Sequence, residues 1–206
     1  MIRYPLLLLL FFVAFISCKE SSVEENIVDD IRQEVRGLTS DDAKRNYLEK
    51  ILEDDQRVRG SEGQQLALAY GADSEQHMNW VDTQIAMDDD NLHKIETYFD
   101  IHGYPSAALG ADASTAPWIV IHHAQDYEAR ERNFATVYGA YQNGDIDDGA
   151  VSFYLGRMYR MKFGEGHTME NPYMPEDEID FLIEALELRN HIDDGDSHVE
   201  EEQNLE

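Results

Sequence analysis

The chain of 206 residues has one cysteine, five prolines, and 16 lysines and arginines against 43 aspartates and glutamates. A single cysteine excludes an internal disulfide, so stability has to come from a packed core. The shortage of basic side chains leaves a formal net charge of −27. It excludes DNA and RNA as partners, because nucleic-acid binding draws most of its free energy from lysines and arginines that neutralise phosphates. Anionic lipid surfaces are disfavoured for the same reason unless a covalent group holds the protein there. Familiar catalytic templates are missing too. There is no G-x-S-x-G elbow, no phosphate-cradling G-x-x-x-x-G-K-[ST], no G-x-G-x-x-G after a strand and no H-E-x-x-H. Asp88-Asp89-Asp90 lacks the alternating ligands of a calcium loop, and Gly144–Gly149 is too short for one. What is present is 42% hydrophobic and 10% aromatic residues, enough for one core at this length.

The N-terminus carries an address. Arg3 precedes an unbroken apolar run from Leu6 to Ile16, which is far short of the ~20 residues a transmembrane helix needs and has the length of a signal-peptide core. It ends in Phe15-Ile16-Ser17-Cys18, which resembles the bacterial lipobox, with Phe15 where leucine is usual. The expected organisation is a lipoprotein signal peptide over 1–17, a lipidated Cys18 with its tether over 18–22, an all-α domain over 23–190 and an acidic disordered tail over 191–206. Lys19, Glu20 and the acidic residues up to Asp30 resemble the tracts that follow the lipidated cysteine in surface-exposed lipoproteins. The expected location is therefore the bacterial cell envelope, lipid-anchored at the outer membrane, facing the periplasm or the exterior.

Apolar residues recur at helical spacing through the rest of the chain. Val23, Ile27, Val28, Ile31 and Val35 predict a first helix closed by Gly37. Thr39 or Ser40 caps a second, with Tyr47, Leu48, Ile51, Leu52 and Val58 as its stripe and a break near Gly60. A short helix from Ser61 to Tyr70 follows, then a longer one capped by Ser74, which the Asp88-Asp89-Asp90 run is expected to interrupt and Gly103 and Pro105 to end. Pro117 is placed at the first turn of a buried central helix, Trp118–Ala124, capped by Ser114 or Thr115. Phe134, Val137, Tyr138 and Tyr141 mark another helix, and Val151, Tyr154, Leu155, Met158 and Tyr159 one more that stops at Gly164. Pro175 opens the last, with Ile179, Leu182, Ile183 and Leu186 facing inward. The prediction is an all-α fold of about seven or eight helices.

The residues that could carry chemistry are Asp55, Arg57, Arg59, His122, His123, Asp126 and Arg157. Asp55 and the arginines close the second helix, where they either face a pocket or complement the negative end of the helix dipole. On one continuous helix His122 and Asp126 share a face, while His123 points about 100° away. Such a pair could act as an oriented general base or supply part of a zinc site. The remaining zinc ligands are missing, so no metal and no cofactor is expected. A histidine satisfied by hydrogen bonds in the core is the commoner outcome, and His123 is expected to be the more buried of the two. His102, Glu165 and His167 join only if the fold brings them close.

Asp55-Gln56-x-x-Arg59, Asp88-x-x-Asn91-Leu92-x-x-Ile95, Gly103-x-Pro105, the segment from Ala116-Pro117-Trp118 to His122-His123-Ala124, and Leu155-x-Arg157 together resemble an uncharacterised bacterial domain family of unknown function, over roughly residues 47–189. The resemblance implies that His123 is the family's central-helix histidine, with His122 in place of a glutamine and Gly156 in place of an acidic residue. It implies fold and candidate residues, since that family has no established activity.

Three functional readings follow. The first is a lipid-anchored, exported lipoprotein that binds a protein or small-molecule partner at the envelope, favoured by the absence of a complete catalytic template. The second is a hydrolase-like enzyme with His123 or His122 as base, Asp55 or Asp126 as its orienting group, and Arg57, Arg59 or Arg157 on an anionic group of the substrate. The third is an immunity-type protein whose charge steers it to a basic toxin. Convergence of the histidines, aspartates and arginines on one concave site favours the enzyme.

Overall fold

The computed structural model describes residues 28–169 and 173–192. The expected signal peptide, Cys18, its tether, the start of the first helix at Val23 and Ile27, and the tail from residue 193 lie outside the described residues. The described residues form eight α-helices and no strand. The chain divides into two units, Met1–Leu38 and Thr39–Glu206. The described part of the first is α1, over 28–36. It stops at Gly37, whose N–H donates to the carbonyls of Gln33 and Glu34 at 3.1 and 3.0 Å.

The second unit runs α2 (Asp41–Arg57), α3 (Glu62–Tyr70), α4 (Glu75–His102), a 3₁₀ turn (Ala107–Leu109), α5 (Ala111–His123), α6 (Tyr127–Gln142), α7 (Asp148–Phe163) and α8 (Pro175–Leu186). The start signals work by satisfying N–H groups that the first helical turn leaves unpaired. Ser40 accepts from the Ala43 N–H at 3.2 Å, Ser74 from His77 at 3.3 Å and Asp147 from Ala150 at 2.8 Å. In α8, Pro175 occupies the first turn, and Asp177 accepts the Met174 N–H at 3.1 Å. No described helix is long and apolar enough to cross a membrane.

α5 is the buried centre, packed against α2, α4, α6 and α7. Ala113, Ala116, Val120 and Ile121 are almost wholly buried in it, and the two alanines let the backbone of a neighbour approach. Around it, α7 pairs with α8 and α3 with α4. Tyr98, Phe134, Tyr154, Leu155, Leu182 and Ile183 fill the core, each contributing about 1.5–3 kcal/mol by leaving water. At the far end of the α7–α8 pair, Lys162 donates to the last-turn carbonyl of Leu186 at 3.0 Å.

Three local readings are corrected. α4 runs through Asp88-Asp89-Asp90 without a break, because Asp88 pairs with Arg59 and Asp90 with Lys94, both at 2.6 Å. The run is thereby relieved of much of its self-repulsion. α5 begins at Ala111, so Pro117 lies inside it. The entry is made by Gly110, whose φ of 117° suits glycine, while Ser114 donates its hydroxyl to the Ala111 carbonyl at 3.1 Å. The central helix also stops at His123, since Ala124 turns to extended backbone. Asp126 then caps α6, accepting the Ala129 N–H at 2.5 Å.

Candidate functional site

Four elements bring one polar network together, and α2 supplies its first half. Its apolar stripe points Leu48 and Ile51 into the core, and one turn later the same face delivers Asp55, which is 0% exposed. A lone buried carboxylate would cost several kcal/mol, so it has to be paired. Gln56 donates to Asp55 Oδ2 at 2.8 Å, and Arg59 Nη1 lies 3.0 Å from Oδ1. Arg59 Nη1 also donates to the Asp55 carbonyl at 2.7 Å. The residue therefore serves both as a cap on the negative end of α2 and as a partner of the buried acid.

From α4 comes Asp88, 3% exposed, which accepts Arg59 Nη2 on Oδ1 at 2.6 Å and Gln125 Nε2 on Oδ2 at 3.2 Å. From the end of α5 comes His123. Its Nδ1 lies 3.0 and 3.1 Å from the two Asp55 oxygens, and its side chain is 19% exposed. The Nδ1–H donates to the carboxylate in this arrangement, and Nε2 has no hydrogen-bond partner among the described residues. Two buried carboxylates thus share one guanidinium, with the His123 imidazole on Asp55 and Arg157 near enough to Asp88 to be attracted by it.

His122 sits beside this network in different surroundings. It is 3% exposed, its ring stacks on Phe153 at 4.4 Å between centroids, and its Nδ1 has no partner among the described residues. Burial pulls its pKa down to about 3, and Arg130, Arg157, His123 and Arg59 add repulsion. His122 is therefore a neutral imidazole at ordinary pH. It is also the more buried of the two histidines, which corrects the expectation for His123: both lie in the last turn of α5, about 100° apart, and the packed helix turns His122 inward and His123 toward Asp55.

Arg130, fully buried on α6, holds that turn. Its Nη2 donates to the carbonyls of His122 and, at 2.9 Å, Ala124, and its own carbonyl accepts the Tyr154 hydroxyl at 2.5 Å. Burial lowers the Arg130 pKa to about 10, with repulsion from Arg157 added.

His122 also lines a cleft of about 350 Å³ with Ser152, Phe153, Gly156, Arg157, Arg160, Gly166, His167 and Glu178. Glu178 accepts from Ser152 at 2.6 Å and pairs with His167 Nε2. Burial pushes the Glu178 carboxyl up, but these two partners outweigh it and hold it below the usual carboxylate range.

Of the residues singled out from the sequence, the structure joins Asp55, Arg59 and His123 directly and places His122 and Arg157 beside them. Arg57 lies outside, exposed, with its guanidinium on Asp54 at 3.2 Å. Asp126 is a helix cap and does not orient a histidine, because the break at Ala124 removes the shared helical face. His167 reaches the cleft, Glu165 is exposed, and His102 packs against Tyr98 instead, the rings tilted by 55° with centroids 5.0 Å apart. Among the described residues no three histidine, cysteine, aspartate or glutamate side chains converge as a metal ion would require. Sequence reasoning missed Asp88 as a partner of Arg59, and it missed Gln125, Arg130 and Arg160. No family model, no curated protein and no solved structure matches the chain.

Proposed function

We propose that the protein is an exported, lipid-anchored enzyme of the hydrolase type, with His123 as its general base and Asp55 as the group that orients it. The observation that carries this reading is the Asp55–His123 pair. A wholly buried carboxylate, fixed by Gln56 and Arg59, holds one ring nitrogen of a partly exposed histidine and leaves the other without a partner among the described residues. That arrangement fixes the tautomer and offers Nε2 to a proton on water or substrate, and the carboxylate compensates the charge His123 gains on taking it. His123 is partly exposed and so within reach of water or substrate, whereas the almost wholly buried His122 is not. Phe15-Ile16-Ser17-Cys18 supports lipidation at Cys18 and a place at the cell envelope.

The test is turnover of chromogenic esters, amides, glycosides and phosphoesters by the purified full chain. Activity on at least one class, reduced by about 10²–10⁴ in both His123→Gln and Asp55→Asn, is the expected result. Absence of turnover in every class, or turnover that survives both substitutions, leaves partner binding as the better reading. For the anchor, Cys18→Ala is expected to move the protein from the detergent phase to the aqueous phase. Unchanged partitioning overturns lipidation.

A further inference from the structure

The cleft beside the dyad holds two arginines on one face of α7. Arg157 and Arg160 are three residues apart, so they neighbour each other on the helix surface. Neither makes an ion pair or a side-chain hydrogen bond among the described residues. Burial lowers the Arg157 pKa, and repulsion from Arg59 and Arg160 lowers it further, opposed by Asp88. The fold thus places like charges together, in a chain with 43 acidic residues from which partners could be drawn.

The carboxylate that lines the same cleft does not answer them. Glu178, in the wall of the same cleft, has its oxygens committed to Ser152 and His167. The floor is apolar and flat: Phe153 is 61% exposed although its ring is stacked on His122. An exposed aromatic over a neutral, almost fully buried imidazole is a surface for the body of an organic molecule, and about 350 Å³ is within the range of small-ligand sites.

We propose that this cleft binds a small organic phosphate or phosphonate, its doubly charged oxyanion held by Arg157 and Arg160 and its apolar body laid on Phe153. Two adjacent guanidiniums suit a dianion better than a carboxylate, because each can present paired N–H donors to separate oxygens and the second charge relieves their repulsion. The inference rests on the enzyme reading for the site's being a reaction centre, and it names the group the substrate carries.

The test separates binding from turnover. Phenylphosphonate, benzoate and inorganic phosphate are titrated calorimetrically into the full chain and into Arg157→Gln and Arg160→Gln. The expected result is saturable binding of phenylphosphonate, weaker binding of phosphate, at least tenfold weaker binding of benzoate, and a loss of about tenfold or more in phenylphosphonate affinity in each variant. Removing one of two repelling charges is expected to leave the ligand-free melting temperature unchanged or raised, which an arginine of purely structural role would not do. If one variant does not fold, the other decides. The proposal is overturned if phenylphosphonate does not bind, if benzoate binds equally well, or if neither substitution weakens binding. Phosphonate binding without turnover of any substrate overturns the enzyme reading alone, whereas turnover that phenylphosphonate does not inhibit overturns the binding proposal alone.

Discussion

His123 Nδ1 lies 3.0 Å from Asp55 Oδ1, joining positions 68 residues apart in sequence, so the end of the central helix is tied to the end of α2 by a hydrogen bond that only tertiary packing creates. Asp55 has two further obligations, to Arg59 and Gln56. Its replacement weakens these contacts, while Arg59 keeps Asp88 and the backbone carbonyl at position 55. Asp55→Asn is expected to destabilise by about 1–3 kcal/mol and His123→Gln by about 1 kcal/mol. The double variant should be less destabilised than the sum by about 0.5–3 kcal/mol, because the shared bond is lost only once. Denaturant unfolding of the four proteins checks this, and strict additivity would show that the two side chains do not act as a unit.

His122 gives the fold a dependence on acid. Its pKa falls from 6.5 to about 3 on folding, so between those values the unfolded chain binds more protons than the folded one, and stability rises with pH. The contribution is fully present above about pH 6.5 and is lost as pH falls toward 3, amounting to a few kcal/mol in order of magnitude. Carboxylates of ordinary pKa titrate mainly below pH 5, so the window from 6.5 to 5 excludes them, and comparison with a His122 variant separates this residue from the seven other histidines. His122→Leu is expected to flatten the melting-temperature slope across that window. An unchanged slope would assign it to another group.

The helices were legible from an apolar stripe at 3.6 spacing, joined by a side-chain cap in α2 and α4, glycine at the end of α1, α4 and α7, and proline in the first turn of α8. What the sequence hid was set by distant partners. Asp88-Asp89-Asp90 reads as a breaker when only local repulsion is counted, and Arg59, 29 residues away, is what lets the helix continue. Arg130, which has no signature in the sequence, bonds the carbonyls on either side of the stop after His123, and misplacing that stop misassigned Asp126, whereas the burial of the two histidines depends on which face α5 turns to its neighbours. Asp55, Arg59 and His123 were visible as candidates through residue type and helix position. Choosing Arg59 over Arg57 required the structure, since one is four residues from Asp55 and the other is three from Asp54.

The α3–α4 pair depends on a glycine for a reason of space. A Cβ at Gly63 would meet the Trp80 ring well inside van der Waals contact, so this glycine is where the shorter helix approaches the indole. Gly63→Ala would ordinarily stabilise an exposed helix by up to about 1 kcal/mol. Here overpacking dominates, at about 1–3 kcal/mol, and the net effect is expected to be destabilising. The indole must move, so tryptophan fluorescence should shift along with the melting temperature. A stabilised variant with unchanged emission would refute the contact.

Arg130 sets two effects of similar size against each other. Replacing it with methionine leaves the carbonyls of His122 and Ala124 without their donor, a cost of about 1–3 kcal/mol for each group left unpaired. The same change removes a buried guanidinium whose Nε and Nη1 have no partner among the described residues, and relief of that desolvation is worth several kcal/mol. Arg130→Met is therefore expected to change global stability by less than about 2 kcal/mol while freeing the end of α5 that carries the two histidines. In an NMR titration of the histidine rings, His122 and His123 should both change their chemical shifts, whereas His167, held by Glu178 across the cleft, should not. A loss of more than about 4 kcal/mol would mean that Arg130 is kept chiefly for stability. Unmoved His122 and His123 signals would mean that the turn at Ala124 holds without it.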